Sequence, residues 1–178
     1  MQSRFETKKM VLAALFTAVM AVTSQIQIPV EPVPFNLAVL GVFLTGMLLP
    51  PAWAVISVAL YILLGGIGVP VFAGFTGGPA ILFGATGGYI AGYLFLALAT
   101  SLGARSRKIW VTALAMTLGL AITYAFGTAW YMIFSGVNLD TALHFCVLPF
   151  VPFDIGKGVL ACAAGRAVQD RLAKARLL

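Results

Sequence analysis

The chain has 178 residues, 61% of them apolar and 9% charged, with a mean hydropathy of +1.04 and a net charge of +6. A soluble domain is about 25% charged, and one of this size places too many of its residues at the surface to hide so much apolar side chain. The composition excludes a cytosolic enzyme, a disordered chain and a secreted disulfide scaffold, and it leaves an all-α polytopic membrane protein with room for about six spans.

The first apolar run extends from Met10 to about Ile28, after Lys8 and Lys9. Its basic start and small residues resemble a signal peptide, but the topology below is more coherent with the helix retained. A proline-rich hinge follows, Pro29-Val-Glu-Pro32-Val-Pro34, where backbone must turn or extend. The second span is expected from about Phe35 to Leu49, stopping at Pro50-Pro51, and the third from Ala52 to Ile67, ending in glycines. The stretch Val69 to Pro79 is too apolar for a solvated linker and too rich in Gly and Pro for a helix. Such backbone survives at membrane depth only against protein or a cavity. The fourth span runs from about Gly84 to Leu102 and the fifth from Ile109 to Phe134. The segment Ser135 to Phe145, with Asn138, Asp140 and His144, reads as a polar external loop. Pro149 and Pro152 lead into a last helix from about Phe153 to Leu172.

The bases fall in three clusters: Arg4, Lys8 and Lys9; Arg105, Arg107 and Lys108; Arg166, Arg171, Lys174 and Arg176. Long stretches without a base separate them. The positive-inside rule produces this pattern, with both termini and the turn between spans four and five cytoplasmic. No basic face with interleaved aromatics exists for nucleic acid. Cys146 and Cys162 differ in depth and read as packing residues, and one His with two Cys lacks metal-ligand spacing.

Lys157 is the one base outside these clusters, and Asp154 precedes it by one helical turn, on the same face. Charges inside an apolar helix face a cavity or a partner. The pair is therefore either a structural ion pair or a polar clamp at the end of an apolar pocket. A carboxylate accepts paired N–H groups and an ammonium donates to a carbonyl or carboxylate, which suits a small ligand carrying both kinds of group. Gly156-Lys157-Gly158 is not a phosphate loop, because Val151 stands where a Gly is required. Ser135 and His144 lack the nucleophile elbow of a serine hydrolase. In the first helix, Ala14 and Ala18 form a small-xxx-small pattern that reads as a docking face for another membrane subunit.

Together these motifs resemble the biotin-specific substrate-binding (S) components of energy-coupling-factor (ECF) transporters, the BioY family. The likeness rests on Val33-Pro-Phe35, on Leu60-Tyr-Ile-Leu-Leu-Gly-Gly-Ile-Gly-Val-Pro-Val-Phe-Ala-Gly74, and on Gly77-Gly78 and Thr86-Gly-Gly-Tyr89. Gly127-Thr-Ala-Trp130 and Val147-Leu-Pro-Phe-Val-Pro-Phe-Asp-Ile-Gly-Lys157 complete it. The resemblance implies a six-helix S-component fold in the bacterial plasma membrane, with no enzymatic activity and no cofactor, that binds biotin as its transported ligand. It implies as partners a transmembrane coupling subunit with two ATPase subunits, or a simpler assembly such as a homo-oligomer. By the same resemblance Asp154 and Lys157 are the last-helix pair of the ligand site, Thr76 touches ligand from the Gly-rich loop, and Tyr89 belongs to the Gly-Gly-Tyr motif. On that reading Asp154 accepts the ureido N–H groups of biotin, Lys157 donates to the ureido oxygen or to the carboxylate, and Phe75, Phe35 and Tyr89 pack the apolar body. The sequence departs from the family at Ile90, where some members carry Arg, at Asn36-Leu37-Ala38, and at Phe153. The other readings are an S component for another small vitamin, an intramembrane enzyme using Asp154 or His144, or an assembly subunit whose charge pair locks helices.

Overall fold

A computed structural model describes residues 2–29, 33 and 35–174. Val30 to Pro32 and Pro34 of the expected hinge, and Arg176 of the last basic cluster, lie outside the described residues. Each expected span contains a helix: α1 (Gln2–Gln25), α2 (Ala38–Leu48), α3 (Pro51–Gly66), α5 (Gly87–Ala104), α6 (Ile109–Ser135) and α8 (Val151–Lys174). Two short helices, α4 (Pro79–Leu82) and α7 (Leu139–Cys146), and two short strands, β1 (Gln27–Ile28) and β2 (Phe35–Asn36), complete the order. Among the described residues, the segment of α1 from Glu6 to Gln25, α5 and α6 are three helices long and apolar enough to cross a membrane. The pair α7 and α8, bent by 48°, forms a fourth if taken as one span, and α2 and α3 are shorter apolar helices.

The exterior and interior are those of a protein in lipid. Outward faces carry large apolar side chains such as Leu15, Val22, Leu63, Leu102, Leu118 and Leu160. Helix interfaces carry small hydroxyl residues instead: Thr17, Ser24, Thr45, Ser57, Thr112 and Thr123 are all buried. Lipid provides no hydrophobic force between helices, so close packing and interhelical hydrogen bonds hold them. The Thr17 hydroxyl lies 2.9 Å from the Ser57 carbonyl, Ser24 is 2.7 Å from the Tyr61 hydroxyl, and Thr123 donates to the Gly92 carbonyl at 3.0 Å. α5 and α6 pack along each other most extensively, and α2 sits between α1, α5 and α8 with most of its length buried.

Three expectations are corrected. Phe35 does not open the second helix: it lies in β2, paired with Ile28, and α2 begins at Ala38. The reason is local, since Asn36 Oδ1 accepts the Ala38 N–H at 2.9 Å and turns the extended chain into helix. The segment after Ser135 is not a loop throughout. Gly136, at φ 69°, ends α6 in a left-handed residue, and Asn138 then caps α7 by accepting the Thr141 N–H at 2.9 Å. Asp140 and His144 are therefore helical, in the first and last turns of α7. The fourth span begins at Gly87 rather than Gly84, after the single turn of α4. Among the described residues, the mainly α architecture thus also carries a short antiparallel strand pair, β1–β2.

The Gly-rich stretch folds over one end of the bundle. Phe72 and Thr76 form a β-bridge around a tight turn whose Gly74 and Phe75 have φ of 72° and 55°. The Gln25 side chain holds this turn to α1: its amide N–H group lies 3.1 Å from both the Val71 and Phe72 carbonyls, and its Oε1 accepts the Phe75 N–H at 2.8 Å. Phe72 turns inward, edge-on to Tyr61 at 5.4 Å and directly over Gly65, where any side chain would collide with the ring.

Candidate functional site: a buried ion pair at the end of an aromatic chamber

Beneath this turn lies a chamber of about 240 Å³. α3 contributes Tyr61 to its wall, α5 contributes Tyr89, Ile90 and Tyr93, and α6 contributes Leu120, Thr123 and Tyr124. Phe72 and Thr76 come from the Gly-rich turn, Asn36, Ala38 and Val39 from the start of α2, and Cys146 and Phe150 from the α7 side. Asp154 and Lys157 lie in the first turns of α8.

Asp154 and Lys157 are 3% and 7% exposed and form an ion pair with Nζ 2.7 Å from Oδ1. Each has a further partner. Tyr124 donates its hydroxyl to Asp154 Oδ2 at 2.6 Å, and Lys157 donates to the Asn36 carbonyl at 2.7 Å. The ammonium also sits 4.8 Å above the Phe35 ring, a favourable position for a cation over an aromatic face. Phe35 is in turn fixed by Phe150 and Phe153, with ring centroids 5.0 and 4.5 Å away. The chemistry left over can be counted. A carboxylate has roughly four lone-pair positions, so Asp154 can still accept two N–H groups from a ligand. Lys157 retains one N–H beyond those given to Asp154 and Asn36, enough for one carbonyl or carboxylate oxygen. Among the described residues that line the chamber, Lys157 is the only base.

Of the residues singled out in the sequence, Asp154, Lys157, Tyr89 and Thr76 all line the chamber. The Tyr89 ring packs on Gly127 and its hydroxyl is 3.1 Å from Thr128 Oγ1, so the Gly-Gly-Tyr and Gly-Thr-Ala-Trp motifs interlock. Thr76 donates its hydroxyl to the Ala73 carbonyl at 2.9 Å. Phe35 stands behind Lys157 rather than in the chamber wall. Phe75 is 73% exposed on the outside of the turn. Ile90 is an apolar part of the wall. Ala14 and Ala18 are on the exposed side of α1, opposite the buried Ala13 and Thr17. The sequence reading missed Tyr124, hidden in an apolar run, Asn36, which acts through its backbone, and Gln25. It also took Cys146 for a packing residue only.

Lipid-facing exteriors around a solute-sized chamber with one buried ion pair define a multi-pass, all-α membrane protein built to enclose a small molecule. The BioY family model matches residues 1–174. The chain belongs to the BioY family, a family of transporters rather than enzymes. It is 38% identical over 164 residues to a probable biotin transporter of Pyrococcus horikoshii, covering 92% of this chain and 98% of that one. It is 39% identical over 155 residues to a biotin transporter of Thermotoga maritima, covering 86% and 91%. Among solved structures it is similar to an S component for biotin from an ECF-type ABC transporter, with a TM-score of 0.88, 27% identity and coverage of 96% and 95% of the two chains.

Proposed function

We propose that this chain binds biotin and is the substrate-specific S component of an ECF-type transporter in the plasma membrane. One observation carries the reading: the Asp154–Lys157 pair, buried at the end of an aromatic chamber, keeps unused acceptors on the carboxylate and an unused donor on the ammonium. The ureido ring of biotin offers two N–H donors beside a carbonyl, its thiophane and valeryl chain are apolar, and its tail is a carboxylate. In this reading Asp154 accepts the ureido N–H groups and Lys157 donates to the ureido oxygen or to the carboxylate. Tyr89, Tyr93 and Phe72 enclose the apolar body and Thr76 touches the ligand from the turn. Phe35 acts through Lys157, and Phe75, on the outside of the turn, is not part of the chamber wall. The three basic clusters support both termini and the α5–α6 turn as cytoplasmic, which makes α1, α2, α3, α5, α6 and α8 the six spans and opens the chamber to the outside. No nucleotide-binding motif is present in the sequence, so ATP-driven uptake is the work of a coupling subunit and two ATPases, docked on the Ala14–Ala18 face.

The test is equilibrium binding of radiolabelled biotin to the purified chain. Wild type binds without turnover, and Asp154→Asn and Lys157→Met each lose at least about tenfold in affinity, the scale of one lost charge-assisted hydrogen bond. Unchanged affinity in both variants overturns the assignment.

A further inference from the structure

A second, larger cavity lies outside the bundle. α8 packs along α2 and meets α6 only sparsely, leaving between α6 and α8 a groove of about 600 Å³. Its walls are apolar, with Ile109, Ala113 and Met116 on α6 and Ile155, Val159 and Cys162 on α8. Its lining on α8 runs from Val151 past Asp154 to Arg166, fifteen residues along the helix and so about 22 Å along the axis. That is longer than one leaflet, half of the roughly 30 Å hydrocarbon core, so an acyl chain can lie along it.

The Arg166 end is not apolar. The guanidinium reaches across to the α5–α6 turn, where Nη1 donates to the Arg107 carbonyl at 2.9 Å and Nη2 to Thr112 Oγ1 at 3.1 Å. Its Nε is buried and has no hydrogen-bond partner. Among the described residues Arg166 makes no ion pair, and Arg107 and Lys108 add further positive charge at the same end. A buried, charged N–H without an acceptor is costly, and an apolar trough ending in such a group is complementary to an amphiphile with an anionic head.

We propose that the α6–α8 groove is a binding site for an anionic phospholipid, with one acyl chain lying along Ala113, Met116, Ile155 and Val159 and the phosphate on Arg166. The proposal takes from the reading above only that the α5–α6 turn lies at a membrane surface, and it is independent of biotin. The lipid would wedge α8 against α2 and shield the Tyr124–Asp154 hydrogen bond from the bilayer, since Tyr124 and Asp154 border both the groove and the chamber.

Native mass spectrometry of the purified full chain tests this, with phosphatidylglycerol or phosphatidylcholine of identical acyl chains added in turn. Biotin affinity is measured on the same samples. Wild type is expected to retain one phosphatidylglycerol with about fivefold preference, the effect of one Arg at a membrane surface. Arg166→Gln abolishes the preference, Arg166→Lys keeps it, and Ala113→Trp, which fills the groove without changing charge, retains neither lipid. Equal retention of the two lipids by wild type overturns the proposal, as does a preference that survives Arg166→Gln. Retention of phosphatidylglycerol by Ala113→Trp at the wild-type level overturns it too, because the lipid would then lie outside the groove. If wild type shows the lipid preference but binds no biotin, the transport reading fails and the lipid site stands.

Discussion

The Tyr124 hydroxyl donates to Asp154 Oδ2 at 2.6 Å, across 30 residues of chain and from one helix to another. It fixes the plane of the carboxylate and leaves the remaining lone pairs pointing at whatever the chamber holds. Tyr124→Phe keeps the ring and removes the donor. Hydrogen bonds to charged groups contribute about 1.5–3 kcal/mol, so biotin affinity should fall by one to two orders of magnitude with the fold intact. Titration calorimetry on the variant checks this. An affinity equal to wild type means that Lys157 alone orients Asp154.

The ion pair itself makes a prediction that separates its structural role from its binding role. Removing one member leaves a buried charge uncompensated, at a cost of about 3–5 kcal/mol, whereas replacing both is nearly neutral. Without ligand, Asp154→Asn and Lys157→Met should each lower the melting temperature clearly, and the double variant should recover most of the loss. Biotin binding does not recover in the double variant, whose affinity is no better than that of either single variant. Thermal unfolding with and without biotin reads both. Additive destabilisation in the double variant would show that the two side chains are not coupled.

The sequence made these two residues conspicuous because so few charges break its apolar runs. Lys157 was the one base that topology did not absorb, and Asp154 stood one turn away on the same face. Helix breaks at Pro50-Pro51 and Gly65-Gly66 were equally legible, since they are written in backbone chemistry. Tyr124 was not, because a Tyr within an apolar run carries no local sign of what its hydroxyl meets on another helix. Asn138 was misread for a different reason. The side chain that marks a loop in a hydrophobic sequence is also an N-cap, and only the Thr141 N–H at 2.9 Å distinguishes the two. Phe75 and Phe72 show the same difficulty at the turn, where the φ of 55° at Phe75 puts one ring outside and the other over Gly65.

Among the described residues of α1, the Gln25 side chain holds the turn over the chamber, through hydrogen bonds to Val71, Phe72 and Phe75. Gln25 does not itself line the chamber, so Gln25→Ala releases the turn that carries Phe72 and Thr76 and removes no side chain from the wall. Amide exchange in residues 71–77 should accelerate, and bound biotin should dissociate about tenfold faster, given about 1 kcal/mol net for each hydrogen bond and partial replacement by water. The association rate should change less, because opening the turn does not obstruct entry. Exchange at these amides that matches wild type would leave Gln25 without a role in closure.

The two sides of α1 should separate binding from transport. Thr17, on the buried side, accepts the packing of α3, with its hydroxyl 2.9 Å from the Ser57 carbonyl. Ala18, one residue on, is exposed. A bulky residue there adds volume on the exposed side rather than in the core, so Ala18→Trp should leave stability and biotin affinity at wild-type values. It prevents the close helix approach that small residues permit, and uptake of labelled biotin by cells carrying the coupling subunit and ATPases should fall to background. Thr17→Val gives the converse pattern. It removes a buried interhelical hydrogen bond, lowers stability by about 0.6 kcal/mol or somewhat more, and leaves the docking face unchanged. Full uptake by Ala18→Trp would move the docking surface to another part of the bundle.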